Sequence, residues 1–164
     1  MLEEQARVLV TVKAYPQPSR GYGETVCVAG VRVDGGPPRW IRLYPVAYRE
    51  LSFADRFHKY QFIDLRVFRS PSDQRPESYK PNIPSANLGE EVGTQRNWER
   101  RWAYLSELAG ATTACDILRR RGESNAPSLA LIKPREVIDL EVEANDAFSA
   151  DKQRLAELAA AGDL

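Results

Sequence analysis

The chain has 164 residues, with 23 Lys/Arg balanced by 23 Asp/Glu, two Cys, one His and 43% hydrophobic residues. That length makes one domain able to bury a core unaided, and two Cys set in apolar segments do not form a secreted disulfide framework. No apolar run approaches the roughly 20 residues of a spanning helix, Met1-Leu2-Glu3-Glu4 carries acids where a signal peptide carries bases, and one His with two distant Cys leaves a zinc site short of ligands; a soluble, cytoplasmic protein with no metal, no cofactor and no membrane partner is expected.

Arg7 to Tyr15 places Val8, Val10 and Val12 on alternate positions, the period of a half-buried strand. Pro16, Pro18, Gly21 and Gly23 make a loop, and Thr25 to Val33 reads as a second strand whose central Gly30 suggests a bulge or sharp bend. Asp34-Gly35-Gly36-Pro37-Pro38 is a turn by chemistry and leads into a third strand, Arg39 to Tyr44. Pro45 to Phe57 suits a short helix or two turns, and Tyr60 to Phe68 returns to strand. Pro71, Pro76, Pro81 and Pro84 then punctuate an extended loop over residues 70–95.

Gln95 to Ala109 spaces Trp98, Trp102, Leu105 and Leu108 as an amphipathic helix. Thr112 or Thr113 can cap a second helix that ends on Arg119-Arg120-Arg121 and Gly122. Ser128 to Lys133 and Arg135 to Glu143 read as strands broken at Pro134, and Ser149 caps a last helix running to Gly162. Short strands without regular strand–helix alternation predict an α+β, mainly β fold: a small, bent antiparallel β-barrel, OB-like or PUA-like, with helical insertions and a C-terminal helix. Residues 1–69 form the barrel core, 70–95 the Pro-rich loop, and 96–164 two helices, closing strands and an acidic C-terminal helix, all in one compact domain.

The zero net charge is a sum of opposites. Residues 1–80 hold 13 bases against 9 acids and residues 96–121 hold 6 against 3, whereas residues 136–164 hold 2 against 8. A basic front suits a polyanion, and an acidic end suits a basic protein partner. The front also carries 11 of the 15 aromatic residues. Bases are interleaved with them: Lys13 with Tyr15, Arg20 with Tyr22, Arg42 with Tyr44, Tyr48 with Arg49, and Lys59 with Tyr60. On a barrel face such pairs bind single-stranded nucleic acid, rings stacking on bases while cations follow phosphates. Alternating rings also pack as core, where Trp40, Ile41, Leu43, Phe62 and Ile63 are assigned. Arg75-Pro76-Glu77-Ser78-Tyr79-Lys80 is stiffened by Pro residues and can clamp a phosphate or strap the barrel. The expected nucleic-acid-binding residues are therefore Lys13, Tyr15, Arg20, Tyr22, Arg42, Tyr44, Arg49, Lys59, Tyr60, Arg75, Tyr79 and Lys80. His58 lacks a Ser or Cys in a nucleophile motif, and no catalytic residue is nominated.

The succession Lys13-x-Tyr15-Pro16, Ser19-Arg20, Glu24-x-x-Cys27-Val28-Ala29-Gly30, Trp40-Ile41-Arg42-x-Tyr44-Pro45 and Lys59-Tyr60-x-x-Ile63-Asp64 resembles the dual OB-containing domain family of prokaryotes. The likeness covers about the first 65 residues, and Tyr44 stretches the third motif. It implies OB-like barrels and nucleic-acid binding, in proteins often linked to bacterial defence or mobile elements, and no defined enzyme activity. A barrel closed by Ser128 to Lys133 is also similar to PUA or ASCH barrels, which bind RNA or modified bases. Three functions are thus expected in descending order: a module binding single-stranded DNA or RNA, a subunit docking a protein partner through its acidic C-terminal segment, and an enzyme acting on a nucleotide through His58 and Arg75 to Tyr79.

Overall fold

A bent first strand organises the molecule by pairing with two different neighbours along its length. The structure, a computed structural model, describes residues 2–14, 17–19, 23–48, 51–142 and 153–154. In chain order its strands are β1 (Glu3–Lys13), β2 (Gln17–Ser19), β3 (Gly23–Arg32), β4 (Arg39–Val46), β5 (Gln61–Arg69) and β6 (Ser78–Glu91), followed by helices α1 (Gln95–Leu105) and α2 (Ala114–Arg119). β1 pairs antiparallel with β5 from Glu3 to Leu9 and with β3 from Val8 to Lys13, and an extra residue at Thr11 bends it between the two. The sheet order β1-β5-β6-β4-β3, with β3 returning to β1, closes a five-stranded barrel, to which β2 adds a short outer strand on β3. Four seams are antiparallel; the β4–β6 seam is parallel and only two residue pairs long, Arg42 with Ser78 and Leu43 with Tyr79. The mainly β barrel therefore matches the expectation from sequence, with one parallel seam in place of an all-antiparallel wall.

Period-two alternation fills the barrel. Ala6, Val8 and Val10 from β1, Val26 and Val28 from β3, Ile41, Leu43 and Val46 from β4, and Ile63, Leu65 and Val67 from β5 point inward, with Phe57 plugging the end. Each of these Val, Leu, Ile and Phe side chains contributes about 1.5–3 kcal/mol by leaving water. Gly30 sits where β3 crosses β1: a Cβ there would collide with the Leu9 carbonyl oxygen and come within 2.6 Å of Val8 Cγ1. Its role is close approach, opposite the extra residue Thr11 of β1; a second bulge lies on β4, where Tyr44 and Pro45 stand opposite Cys27. Arg32, buried to 4% exposure, is satisfied by both oxygens of Asp34, by Glu4 and by the Gln5 carbonyl, and its guanidinium lies 5.7 Å from the Tyr79 ring.

A second, outer cluster of Leu9, Phe62 and Val92 is covered by Tyr60 and by Tyr104 of α1. The expected apolar stripe of this helix holds only in part: Leu105 and Leu108 are half-buried, but Trp98 and Trp102 are about half exposed, and Tyr104 packs edge-on against Phe62 at 5.2 Å. Arg96, Asn97 and Trp98 have φ of 51°, 54° and 69°, a left-handed turn that puts Trp98 out of phase with the helix behind it. Such a turn costs about 1–2 kcal/mol per residue. α2 is capped by Thr113, whose Oγ1 accepts from the Asp116 amide while Asp116 accepts in return from the Thr113 amide.

Three expectations need correction. Residues 78–91 of the expected loop form β6, the longest strand; Pro81 and Pro84 are tolerated because β6 bows out between Asn82 and Asn87 and has β4 beside it only at Ser78 and Tyr79. The barrel thus extends past residue 69. Of the short helix or two turns expected after Pro45, the described residues form a 3-10 turn, Phe53–Asp55, capped by Ser52. Ser128 to Lys133 contributes only an isolated bridge from Leu131 to Ala109, and residues 135–142 pair with no strand among the described residues, so the barrel closes without them. Most of the expected C-terminal helix lies outside the described residues.

Candidate functional site

Where β4 and β6 part, a cleft of 320 Å³ opens, lined by Arg42, Tyr44, Pro45, Ser70, Ser72, Asp73, Arg75, Ser78 and Lys80. Three segments build it. β4 supplies Arg42 and, at its bulge, Tyr44. The β5–β6 connection brings Asp73 and Arg75, and the first residues of β6 place Ser78, itself buried, and the half-buried Lys80 on the cleft side, while Tyr79 between them turns into the barrel.

Asp73 ties these pieces together. Its carboxylate accepts from Arg75 Nε and Nη2 at 2.7 and 2.5 Å, from Ser78 Oγ at 2.5 Å and from Arg42 Nη1 at 3.1 Å. The Arg75 hydrogen bond, reinforced by Ser78, holds the Asp73 carboxyl well below the usual carboxylate range against the opposing effect of burial. The same bond raises Arg75 above its ordinary value. Arg42 also bonds Ser78 Oγ at 3.1 Å and stacks over the Tyr44 ring at 5.1 Å, so its guanidinium is fixed on two sides. Lys80 makes no hydrogen bond or ion pair with any described residue, and its ammonium is available to an incoming anion. Three cations against one carboxylate give the cleft a positive balance, with donors converging and a ring at the edge. The described residues of the cleft include no His and no Cys, and what the array can do is hold an anion beside a planar group.

A second layer steadies the loop. Glu77, 4% exposed, accepts from the Ser128 amide at 2.5 Å and its hydroxyl at 2.8 Å, while its own carbonyl accepts from the Arg42 amide at 2.7 Å. Gln74 accepts from Ser124 Oγ at 2.7 Å. The segment after α2 is thereby pinned behind the cleft.

Of the twelve residues expected to bind nucleic acid, the cleft gathers Arg42, Tyr44, Arg75 and Lys80. Lys13 points elsewhere: its ammonium donates to Tyr48 Oη at 2.8 Å and the Phe57 carbonyl at 3.0 Å, a strut across the barrel end. Tyr60 lies beneath Arg101, 3.7 Å from its ring, and edge-on to Trp98. Tyr79 is buried between the guanidinium groups of Arg32 and Arg69. Lys59 is exposed but is not part of the cleft. Tyr15, Arg20, Tyr22 and Arg49 lie outside the described residues. His58, whose Nδ1 is 2.6 Å from Glu91 Oε1, stands at the far end of β6 from Arg75 and Ser78, so the nucleotide-acting set of His58 with Arg75 to Tyr79 is not assembled. Of the cores assigned from sequence, Ile41, Leu43, Phe62 and Ile63 are buried and Trp40 is half-buried. Ser78 belongs to the expected Arg75-to-Lys80 clamp, whereas Asp73, Ser70 and Ser72 are not among the expected binding residues; a carboxylate two residues before Arg75 is the one visible signal for Asp73.

No helix among the described residues is long and apolar enough to cross a membrane. No curated protein and no solved structure matches the chain. A family model described as a domain of unknown function, DUF8758, matches residues 4–107, a span that takes in the whole barrel, the cleft and α1, and the chain therefore belongs to the DUF8758 family.

Proposed function

We propose that this chain is a nucleic-acid-binding module of OB type that takes single-stranded DNA or RNA at the parting of β4 and β6. Arg42, Arg75 and Lys80 hold backbone phosphates there, and Tyr44 offers its ring to a base. The observation that carries the reading is the convergence of three cations and a ring on one open cleft, with Lys80 unpaired among the described residues. The cleft's position adds support. With β2 set aside, the barrel strands run in the order 1-2-3-5-4 and back to 1, and the cleft lies between the third strand and the loop joining the fourth to the fifth. OB barrels bind oligonucleotides through their second and third strands and the loops joining strands one to two and four to five. The resemblance of residues 13–64 to dual OB-containing domains points the same way. Free thiols at Cys27 and Cys115 suit a reducing, cytoplasmic setting.

The test is a polarisation titration of short labelled single-stranded DNA and RNA at low salt, with a duplex of the same sequence alongside. Binding of a single strand that weakens steeply with salt is expected. A flat response to all three probes overturns the proposal, and a preference for the duplex moves the interface out of the cleft. Tyr44→Ala is expected to weaken single-strand binding by about 1–3 kcal/mol, the usual worth of one stacked base.

A further inference from the structure

We infer that a single strand long enough to leave the cleft makes a second contact on the α1 side of the barrel, its bases stacking on Trp98 and Trp102 and a phosphate meeting Arg101; this second contact rests on the nucleic-acid reading of the cleft. Every non-glycine residue of positive φ among the described residues stands at this one place: Tyr60 at 61°, Arg96 at 51°, Asn97 at 54° and Trp98 at 69°. Backbone held in sparsely populated conformations gathers where a ligand is gripped. Tyr60 is fixed from both sides, its amide donating to the Val10 carbonyl and its own carbonyl accepting from the Val92 amide, each at 2.6 Å. Its ring carries the Arg101 guanidinium at 3.7 Å, Trp98 meets the same guanidinium at 5.1 Å, and Arg101 Nε donates to the Val92 carbonyl at 2.8 Å. A guanidinium clamped in this way is pre-organised. Its two Nη groups bond no described residue and are left to a ligand.

Charge and surface chemistry select the occupant. Of the three bases on α1, Arg96 is paired with Glu99 at 3.8 Å and Arg100 with Glu90 at 2.9 Å, whereas Arg101 meets no carboxylate among the described residues. Beside it Trp98 and Trp102 leave half of their surface in water. An apolar protein partner would bury Arg101 without an acid, a costly arrangement. A single strand answers both needs, since every base has a face to stack and every phosphate has oxygens for a guanidinium. β6 links this place to the cleft: Ser78 and Lys80 line the cleft at its start, and Val92, which holds Arg101, follows its end. From Lys80 to Gly89 the strand carries no acid, and Glu90 and Glu91 beyond are occupied by Arg100 and by His58. Its 14 residues cover at most about 45 Å. Sixteen nucleotides, the upper end of what an OB fold engages, span that length even at the stacked rise of about 3.4 Å each.

The experiment is a polarisation titration of labelled oligothymidylates of 4 and 16 nucleotides, the two ends of the OB range, at low salt. It uses the wild-type chain, W98A/W102A, Arg101→Gln and Lys80→Gln, each with an unchanged far-UV circular dichroism spectrum. The 16-mer is expected to bind W98A/W102A about tenfold or more weakly than the wild type, the usual loss for a stacked base, and Arg101→Gln is expected to weaken it in the same direction. The 4-mer is expected to bind all three alike and to lose affinity only in Lys80→Gln. Tryptophan emission should be quenched by the 16-mer more strongly in the wild type than in W98A/W102A. A 16-mer indifferent to W98A/W102A or to Arg101→Gln overturns the inference and leaves the cleft reading standing, whereas a 4-mer and a 16-mer that both fail to bind overturn the two together. Sixteen-residue poly-L-glutamate that displaces the 16-mer at equal concentration also overturns it, by making the α1 face a seat for an acidic protein segment.

Discussion

The barrel and the arm that follows it are built by different means. Every buried apolar residue among the described residues lies between Ala6 and Val92, and neither α1 nor α2 buries a side chain completely. The barrel is held by a packed interior; residues 93–142 are held by hydrogen bonds to it, chiefly Ser128 to Glu77, and by the half-buried face of α1. The cleft sits at the boundary between the two, on barrel strands but with its loop braced from behind by the arm. The contrast teaches that apolar content alone does not predict a core: Val137, Ile138 and Leu140 are as hydrophobic as Val8, Val10 and Ile63, yet only the latter have a closed sheet to face.

Substitutions of equal chemistry in the two regions should therefore have unequal effects. The largest is expected at Gly30, where Gly30→Val drives a branched side chain into the Leu9 backbone; failure to fold, read from far-UV circular dichroism, is expected, and a folded variant would mean that β1 and β3 can separate. Next comes the pair Leu65→Ala and Leu118→Ala. The first opens a cavity in the barrel and should cost about 2–5 kcal/mol; the second, at a 63% exposed site, should stay within about 0.5 kcal/mol. Equal urea midpoints for the two would break the comparison.

Glu77→Ala removes the acceptor for Ser128 and should cost about 1–3 kcal/mol. Hydrogen exchange should quicken across residues 124–131 while the β1 and β5 amides stay protected. Uniform quickening would show that arm and barrel unfold as one.

The smallest effect concerns pH. Asp73 has a lowered carboxyl pKa in the folded chain, so its contribution is present above the ordinary carboxylate pKa and is lost as pH falls through the lower, folded value. Melting of the wild-type chain and Asp73→Asn should differ by about 1 kcal/mol near neutrality, a figure reduced by solvent screening, and should converge in strong acid. Curves that stay parallel down to low pH would detach Asp73 from the cleft's stability.

Much of the barrel can be read in the sequence because period-two alternation is a local signal. Val8 with Val10, Ile41 with Leu43 and Ile63 with Leu65 announce both strand and inward face. β6 is hidden because Pro normally argues against a strand, and only the tertiary fact that its Pro residues stand beside a bowed stretch and a short seam makes them acceptable. In the cleft, Arg42 with Tyr44 is legible from base–ring spacing. Asp73 is not, since its importance comes from three segments meeting in space. Spacing likewise separates the two faces of a strand without saying which is outside, which is why Tyr79 was nominated for the surface and lies in the core. Residues 128–143 have strand composition, but composition supplies no neighbour to pair with.

The central claim, that the cleft grips phosphates, is tested most directly by the salt dependence of single-strand binding in Lys80→Gln and Lys59→Gln. Three phosphate contacts predict a slope of log K against log salt of about −2, reduced by about 0.7 in Lys80→Gln. Lys59, exposed and outside the cleft, should leave the slope unchanged. A slope that falls for Lys59→Gln and not for Lys80→Gln would contradict the account.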